Sequence, residues 1–330
     1  MKFLGGLLLL VLLFAGLGLF ILRMPFGSEY EKFVDIPPGA GTIGIAQRLA
    51  DADVIRSRLV FEIYRKFAGG TLRAGEYRFD HPQSLTEVYA KIARGEVYTK
   101  TVVVPEGYNL FDIAQSVQTA GLGSAQQFLL AARRDTNLIR DLSPQADSLE
   151  GFLFPDTYKF DRHATPDVIL AAMVHRFRLA VAPLGLMESP NPMRTVILAS
   201  LIEKEVSIDS ERALVAGVFR NRIATGMPLA TDPTVIYAAL LSGHWRGTIY
   251  QSDLQFDSAY NTYRHTGLPP GPIANPGIAA LKAALHPATT DYLYFVADAQ
   301  GHSRFSRDLK EHTEQVQSYR RAQRASSPNR

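Results

Sequence analysis

Cysteine is absent from the 330 residues. That excludes disulfides and thiolate metal sites, and it leaves the compartment open because a chain of this size can build cores without crosslinks. Charge of one sign is also missing. Lys and Arg number 35 against 32 Asp and Glu, mixed along the chain, so no basic stripe argues for a nucleic-acid partner. The basic end, SYRRAQRASSPNR, is short and reads as a frayed polar terminus. His244, His265, His286 and His302 are scattered without ligand spacing, and no H-E-x-x-H occurs, so no metal site is expected. The glycine-rich GGTLRAGEY lacks the lysine and hydroxyl residue of a phosphate loop, so no nucleotide cofactor is expected either. Long apolar runs are missing with one exception.

That exception is residues 3–22, FLGGLLLLVLLFAGLGLFIL, about the length that crosses a bilayer as a helix. A cleavable signal would have a shorter apolar core ending in small residues, whereas this run passes directly into Arg23, Met24, Pro25 and Phe26. An uncleaved anchor over 1–24 is therefore expected. The two-residue head before a large body favours a single-pass protein with its body outside, which in a bacterium is the inner membrane and periplasm.

The chain as a whole is 46% hydrophobic, enough for folded domains beyond that run. Its pattern predicts a mixed α+β fold in which short strands alternate with helices. FVDIP and LRAGEYRF read as strands. Between and after them come amphipathic helices: IGIAQRLADA with Thr42 as cap, RSRLVFEIYRKFAG, and SLTEVYAKIARG ended by Gly95. A strand, Pro-x-Gly turn and Ile-Ala-Gln helix recurs in IPPGAGTIGIAQRL and VPEGYNLFDIAQSV. Two copies make a shared module rather than a solenoid. A boundary near Lys100 separates a small unit, 25–100, from a larger one, 101–322. Residues 323–330 read as a disordered tail.

VILASLIEKEVS, 196–207, is an apolar helical run interrupted by acids. Val196, Ser200, Glu203 and Ser207 fall on one stripe, which sets Glu203 at the edge of a core. An acid desolvated there stays protonated nearer neutrality, as a general acid requires. The plainer reading is a solvated glutamate opening a polar turn. Glu205 points roughly 200° away and faces another surface. Asp209 or Ser210 would cap a second helix ending near Gly226.

Two loops follow. TDPTVIYAAL sets Thr231, Asp232 and Thr234 around a proline before a helix. SAYNTYRHTGLPPGPIANPG combines Tyr260, Asn261, Thr262 and Tyr263 with a proline-stiffened turn. Aromatic faces beside amides and hydroxyls suit a sugar; core packing and an ordinary turn explain the same residues. Glu150, in SLEGFLFPDTYKF, can approach the same site or cap a loop.

LASLIEKE, ATDPTVIYAAL, SAYNTYRHTGLPPGPIANPG, LKAALHPA and DYLYFVAD, in that order, resemble the YceG-like family from the anchor to about Tyr319. LEGFLFPDTYKF is similar to another block of the family. The resemblance implies one membrane helix, a small LysM-like domain and a YceG-like catalytic domain. It also implies endolytic lytic transglycosylation of nascent peptidoglycan without a cofactor and a catalytic glutamate in the E-K-E segment, placed most naturally at Glu203 with Glu205 as runner-up; membrane anchoring adds the expectation of cooperation with peptidoglycan synthases. Ser200, Thr231, Asp232, Thr234, Tyr260, Asn261, Thr262, Tyr263 and Glu150 are the expected contacts or positioning groups. A muramidase-type hydrolase and a noncatalytic peptidoglycan-binding scaffold are the alternatives.

Overall fold

A computed structural model of the chain describes Gly16, Gly18 and residues 20–298 and 300–326. Most of the apolar run at 3–22 lies outside the described residues, among which no helix is long and apolar enough to cross a membrane. The chain divides into two compact units, Met1–Lys100 and Thr101–Arg330.

In the first unit, strand β1 (Lys32–Ile36) leads through helices α1 (Thr42–Asp51) and α2 (Arg58–Ala68) to β2 (Gly75–Phe79) and helix α3 (Leu85–Arg94). β1 and β2 pair antiparallel from Lys32 opposite Phe79 to Ile36 opposite Gly75. The alternation of these strands turns Val34, Ile36, Tyr77 and Phe79 onto a core with Leu49, Phe61 and Ile92. α3 begins in a reciprocal cap: the Glu87 N–H donates to Ser84 Oγ and the Ser84 N–H to Glu87 Oε2. It ends at Gly95, whose φ of 70° suits a residue without Cβ. Thr42 does not cap α1. Gly41 holds that position and Thr42 is the first helical residue.

The second unit has two further strand pairs, β3 (Lys100–Val103) with β4 (Thr157–Phe160) and β5 (Tyr294–Ala297) with β6 (Ser303–Ser306). Its mass is helical: α4 (Leu110–Thr119), α5 (Ala125–Arg134), α6 (Pro166–Val181), α7 (Pro192–Glu205), α8 (Asp209–Ala224), α9 (Asp232–Leu241), the short α10 (Gln251–Leu254), α11 (Ile278–Leu285) and α12 (Leu309–Ser326). α7 is the central member. Val196, Ile197, Ala199, Ser200, Leu201 and Ile202 are buried on all sides of it, and α8, α9 and α11 pack around it, as expected for a helix apolar around its whole circumference. Such a helix can present carboxylates only where it emerges, and both of its glutamates lie in the last turn. α8 starts at Asp209 after an Ile208 cap, so neither Asp209 nor Ser210 caps it. α12 runs as far as Ser326, and the rest of the tail read from 323 lies outside the described residues.

Candidate active site

α7 stops at Glu205, and Val206 turns extended with φ −132° and ψ 123°. The break brings Glu205 to the wall of a cleft of about 780 Å³. Arg222 from α8, Asp232 from the start of α9, Tyr263 from the following loop, Tyr294 from β5 and His312 from α12 share that wall. Among the described residues no donor reaches the Glu205 carboxyl. Burial, reinforced by the charge of Asp232 and opposed by Arg222, pushes its pKa up to about 7. The negative end of the α7 dipole acts in the same direction.

The other cleft residues are held from behind. The Arg222 guanidinium donates Nε to Leu293 O at 2.6 Å and Nη1 to Leu229 O at 2.7 Å, with its plane near the Tyr294 ring at 5.2 Å. Among the described residues no carboxylate pairs with it, and burial lowers its pKa. The Tyr263 hydroxyl donates to Asp232 Oδ1 at 2.6 Å, and burial together with that carboxylate raises the phenol's pKa. His312 stacks on Tyr294 at 5.1 Å, and burial and Arg222 lower its pKa, which keeps the imidazole neutral. At the lip, Ala230 adopts φ 49°, a conformation that costs a residue with Cβ about 1 kcal/mol.

Glu203 is engaged in a different way. Its Oε1 accepts from Arg212 Nη1 at 3.0 Å and its Oε2 from the Gly277 N–H at 2.8 Å. The side chains of Glu203 and Arg212 are each 6% exposed, and Arg212 Nε also donates to Asp209 Oδ1 at 2.9 Å. Glu203 therefore ties the end of α7 to α8 and to the start of α11. Next to it, burial and the Glu203 charge raise the pKa of Glu106. Both carboxylate oxygens of Glu203 are thus occupied by donors.

The YceG-like family model matches residues 34–318. An endolytic murein transglycosylase of Bacillus subtilis is 35% identical over 88% of this chain and 86% of its own length. One of Streptococcus pneumoniae is 29% identical over 89% of this chain and 59% of its own. The crystal structure of a YceG-like protein from Listeria monocytogenes superposes with a TM-score of 0.59 at 32% identity, covering 87% of this chain and 99% of the other.

The chain belongs to the YceG-like family.

In this member of the YceG-like family, Glu205, Asp232 and Tyr263 meet in the cleft, with Thr231 in its wall. Thr231, Thr234 and Thr262 are interior struts, at most 3% exposed. Thr262 Oγ1 accepts from the Thr231 N–H at 3.1 Å and lies 2.8 Å from Thr234 Oγ1, and the Thr234 hydroxyl donates to Thr231 O. Asn261 is buried because its Nδ2 donates to Leu254 O and Phe256 O while its Oδ1 accepts from the Tyr263 N–H. It shapes the loop. Ser200 is also buried: its hydroxyl donates to Ile197 O and accepts from the Ile273 N–H at 3.1 Å. Tyr260 turns away from the Glu205 cleft to pack on Tyr237, with ring centroids 5.1 Å apart.

Glu150 is a buried brace. Its Oε2 accepts from the Leu110 N–H and the Tyr237 hydroxyl, each at 2.9 Å, and its Oε1 from Asn275 Nδ2 at 2.9 Å. Burial outweighs these donors and raises its pKa to about 8. Capping the start of α4 leaves it no path to the cleft. Arg222, Tyr294 and His312 are absent from the sequence-based set. The histidines have no ligand spacing to single them out, and Arg222 sits in a helix whose sequence gives no sign of a site. Among the described residues no three His, Asp or Glu side chains gather around a metal-sized space.

Proposed function

We propose that the chain is an endolytic lytic transglycosylase of peptidoglycan and that Glu205 is its acid and then its base. The observation that carries this reading is the Glu205 carboxyl itself, on the wall of a cleft of about 780 Å³ and without a donor among the described residues, with a pKa of about 7. Near neutrality such a group populates both protonation states, which one residue needs in order to give a proton and then take one. The names of the Bacillus and Streptococcus relatives support the substrate class.

In the first half, the Glu205 proton goes to the oxygen of the β-1,4 bond between N-acetylmuramic acid and N-acetylglucosamine. The C1–O bond breaks and positive charge develops at the muramic C1. In the second half, the Glu205 carboxylate takes the C6 hydroxyl proton, and that oxygen bonds to C1. The 1,6-anhydro ring closes, Glu205 regains its proton, and no water is consumed. Tethering of the C6 hydroxyl to the same sugar supplies the effective concentration that a bimolecular attack would lack. Asp232 favours the protonated Glu205 that the first half requires, and Arg222 favours the carboxylate that the second requires. Tyr263 and Tyr294 offer apolar ring faces to sugars.

Asp232 also gives a second reading some standing. A second carboxylate in one cleft is what a hydrolase would use to orient water. Products separate the two. Mass spectrometry of uncrosslinked glycan strands digested by the protein should find internal cuts ending in 1,6-anhydromuramic acid. Reducing ends would establish hydrolysis, and binding without cuts would leave the scaffold reading.

The apolar run at 3–22 supports a single-pass anchor in a bacterial inner membrane with the catalytic unit in the periplasm. From there the enzyme meets strands as synthases extrude them, and its cuts terminate their elongation. The first unit serves as a LysM-like module that guides the glycan. Its independent core supports treating it as a separate module.

A further inference from the structure

Helix α2 carries more apolar residues than its core contact uses. Phe61 is fully buried and Tyr64 packs on Tyr89 at 5.1 Å, which fills one face. Leu59, Ile63 and Phe67 are nevertheless 64%, 47% and 85% exposed. Spaced by four, they fall within about 80° of one another around the helix, so they form one continuous stripe. Scattered exposed leucines need no explanation, but an aligned stripe on an amphipathic helix does.

Two observations on this helix indicate what covers the stripe. The helix carries Arg58, Arg65 and Lys66 against the single acid Glu62, a net positive charge, and Lys66 falls about 20° from Leu59 at the edge of the apolar stripe. Its start is also packed where the apolar run at 3–22 leaves off. Ile21, Met24 and Phe26 line one small pocket together with Ser57 and Val60, and Arg56 lies over the Phe26 ring at 5.1 Å. If the run spans a bilayer, α2 is held within the first layer above it. An apolar stripe on a net cationic helix, fixed at that height, is the arrangement of a helix lying in the plane of an anionic lipid surface.

We propose that α2 is an interfacial helix that seats the first unit on anionic lipid through Leu59, Ile63 and Phe67. This rests on the reading of residues 3–22 as an anchor and adds a second, orienting contact to it. The seat would fix the height at which the first unit meets glycan.

Because the chain has no cysteine, a single Phe67→Cys in the full-length protein can carry one environment-sensitive fluorophore. The labelled protein would be reconstituted in phosphatidylcholine discs with or without phosphatidylglycerol. The proposal expects blue-shifted emission and a loss of iodide quenching with the anionic lipid, both reversed by adding Arg65→Glu and Lys66→Glu. Full iodide access in anionic discs overturns it, as does equal protection in detergent, which would mean that the rest of the chain covers the stripe. Protection only in native membranes overturns it in favour of a protein partner. Retention on discs through a high-salt wash reads the anchor separately. A retained chain with an accessible label fails the seat alone, and a released chain whose label is protected at low salt fails the anchor alone.

Discussion

Glu203 and Glu205 flank one lysine, and the protein treats them as different acids. Glu203 is held by Arg212 and the Gly277 N–H, while Glu205 has a pKa near 7 from burial and from Asp232. If Glu205 must arrive protonated, kcat/KM should fall as pH rises through about 7. Asp232→Asn removes a charge that disfavours the carboxylate, so it should move this alkaline limb to lower pH. A pH–rate profile of both proteins on glycan strands checks the sign, and an unmoved limb would separate the limb from Glu205. The same residue affects stability. Its folded pKa lies above its unfolded one, so the folded state binds the extra proton and stability falls as pH rises from the usual glutamate range towards 7. The roughly 200° between the two glutamates follows from helix geometry alone. Which side holds the cleft does not, because Arg212 and Gly277 arrive from later segments of the chain.

At the scale of elements, the loop over 258–263 works by being buried. Thr262 is joined to Thr231 and Thr234, and Asn261 closes the loop on three backbone carbonyls. Tyr263 is thereby fixed against Asp232 at the mouth of the cleft. Thr262→Val would leave the Thr231 N–H without its acceptor, costing about 1–3 kcal/mol. Thermal unfolding should register that loss, while the alkaline limb of the pH profile stays in place. Helices and strands were legible in the sequence where periodicity and caps agreed, as in α3 with Ser84, Glu87 and Gly95. The polar loops were legible as special but not as interior. Thr234, Asn261 and Ser200 look like sugar ligands by residue type, and only tertiary packing shows that their polar groups serve the backbone. By sequence Glu150 suits both a site and a cap; its contacts with Leu110, Tyr237 and Asn275 brace the start of α4.

At the scale of the whole molecule, the proposed function needs an anchor, a small unit and a catalytic unit to act on one polymeric substrate. Removing residues 33–100 while keeping 1–32 should weaken retention of glycan strands by the membrane-held protein and leave the 1,6-anhydro product chemistry unchanged. Unchanged retention in a strand-binding assay would reduce the first unit to a spacer. The α+β character and the order of the family blocks were readable from the sequence. The cleft was not, since its walls come from α7, α8, α9, β5 and α12, which are spread over more than a hundred residues.

The most direct measurement sets Glu205→Gln beside Glu203→Gln, with cleavage of glycan strands and thermal unfolding recorded for each. Glu205→Gln should abolish cleavage in a protein at least as stable as the parent at neutral pH. Glu203→Gln should keep the acid but weaken a buried ion pair, lowering stability by about 3 kcal/mol while leaving measurable cleavage below its melting temperature. A folded Glu203→Gln without activity beside an active Glu205→Gln would contradict the account and return the acid to the other side of the helix.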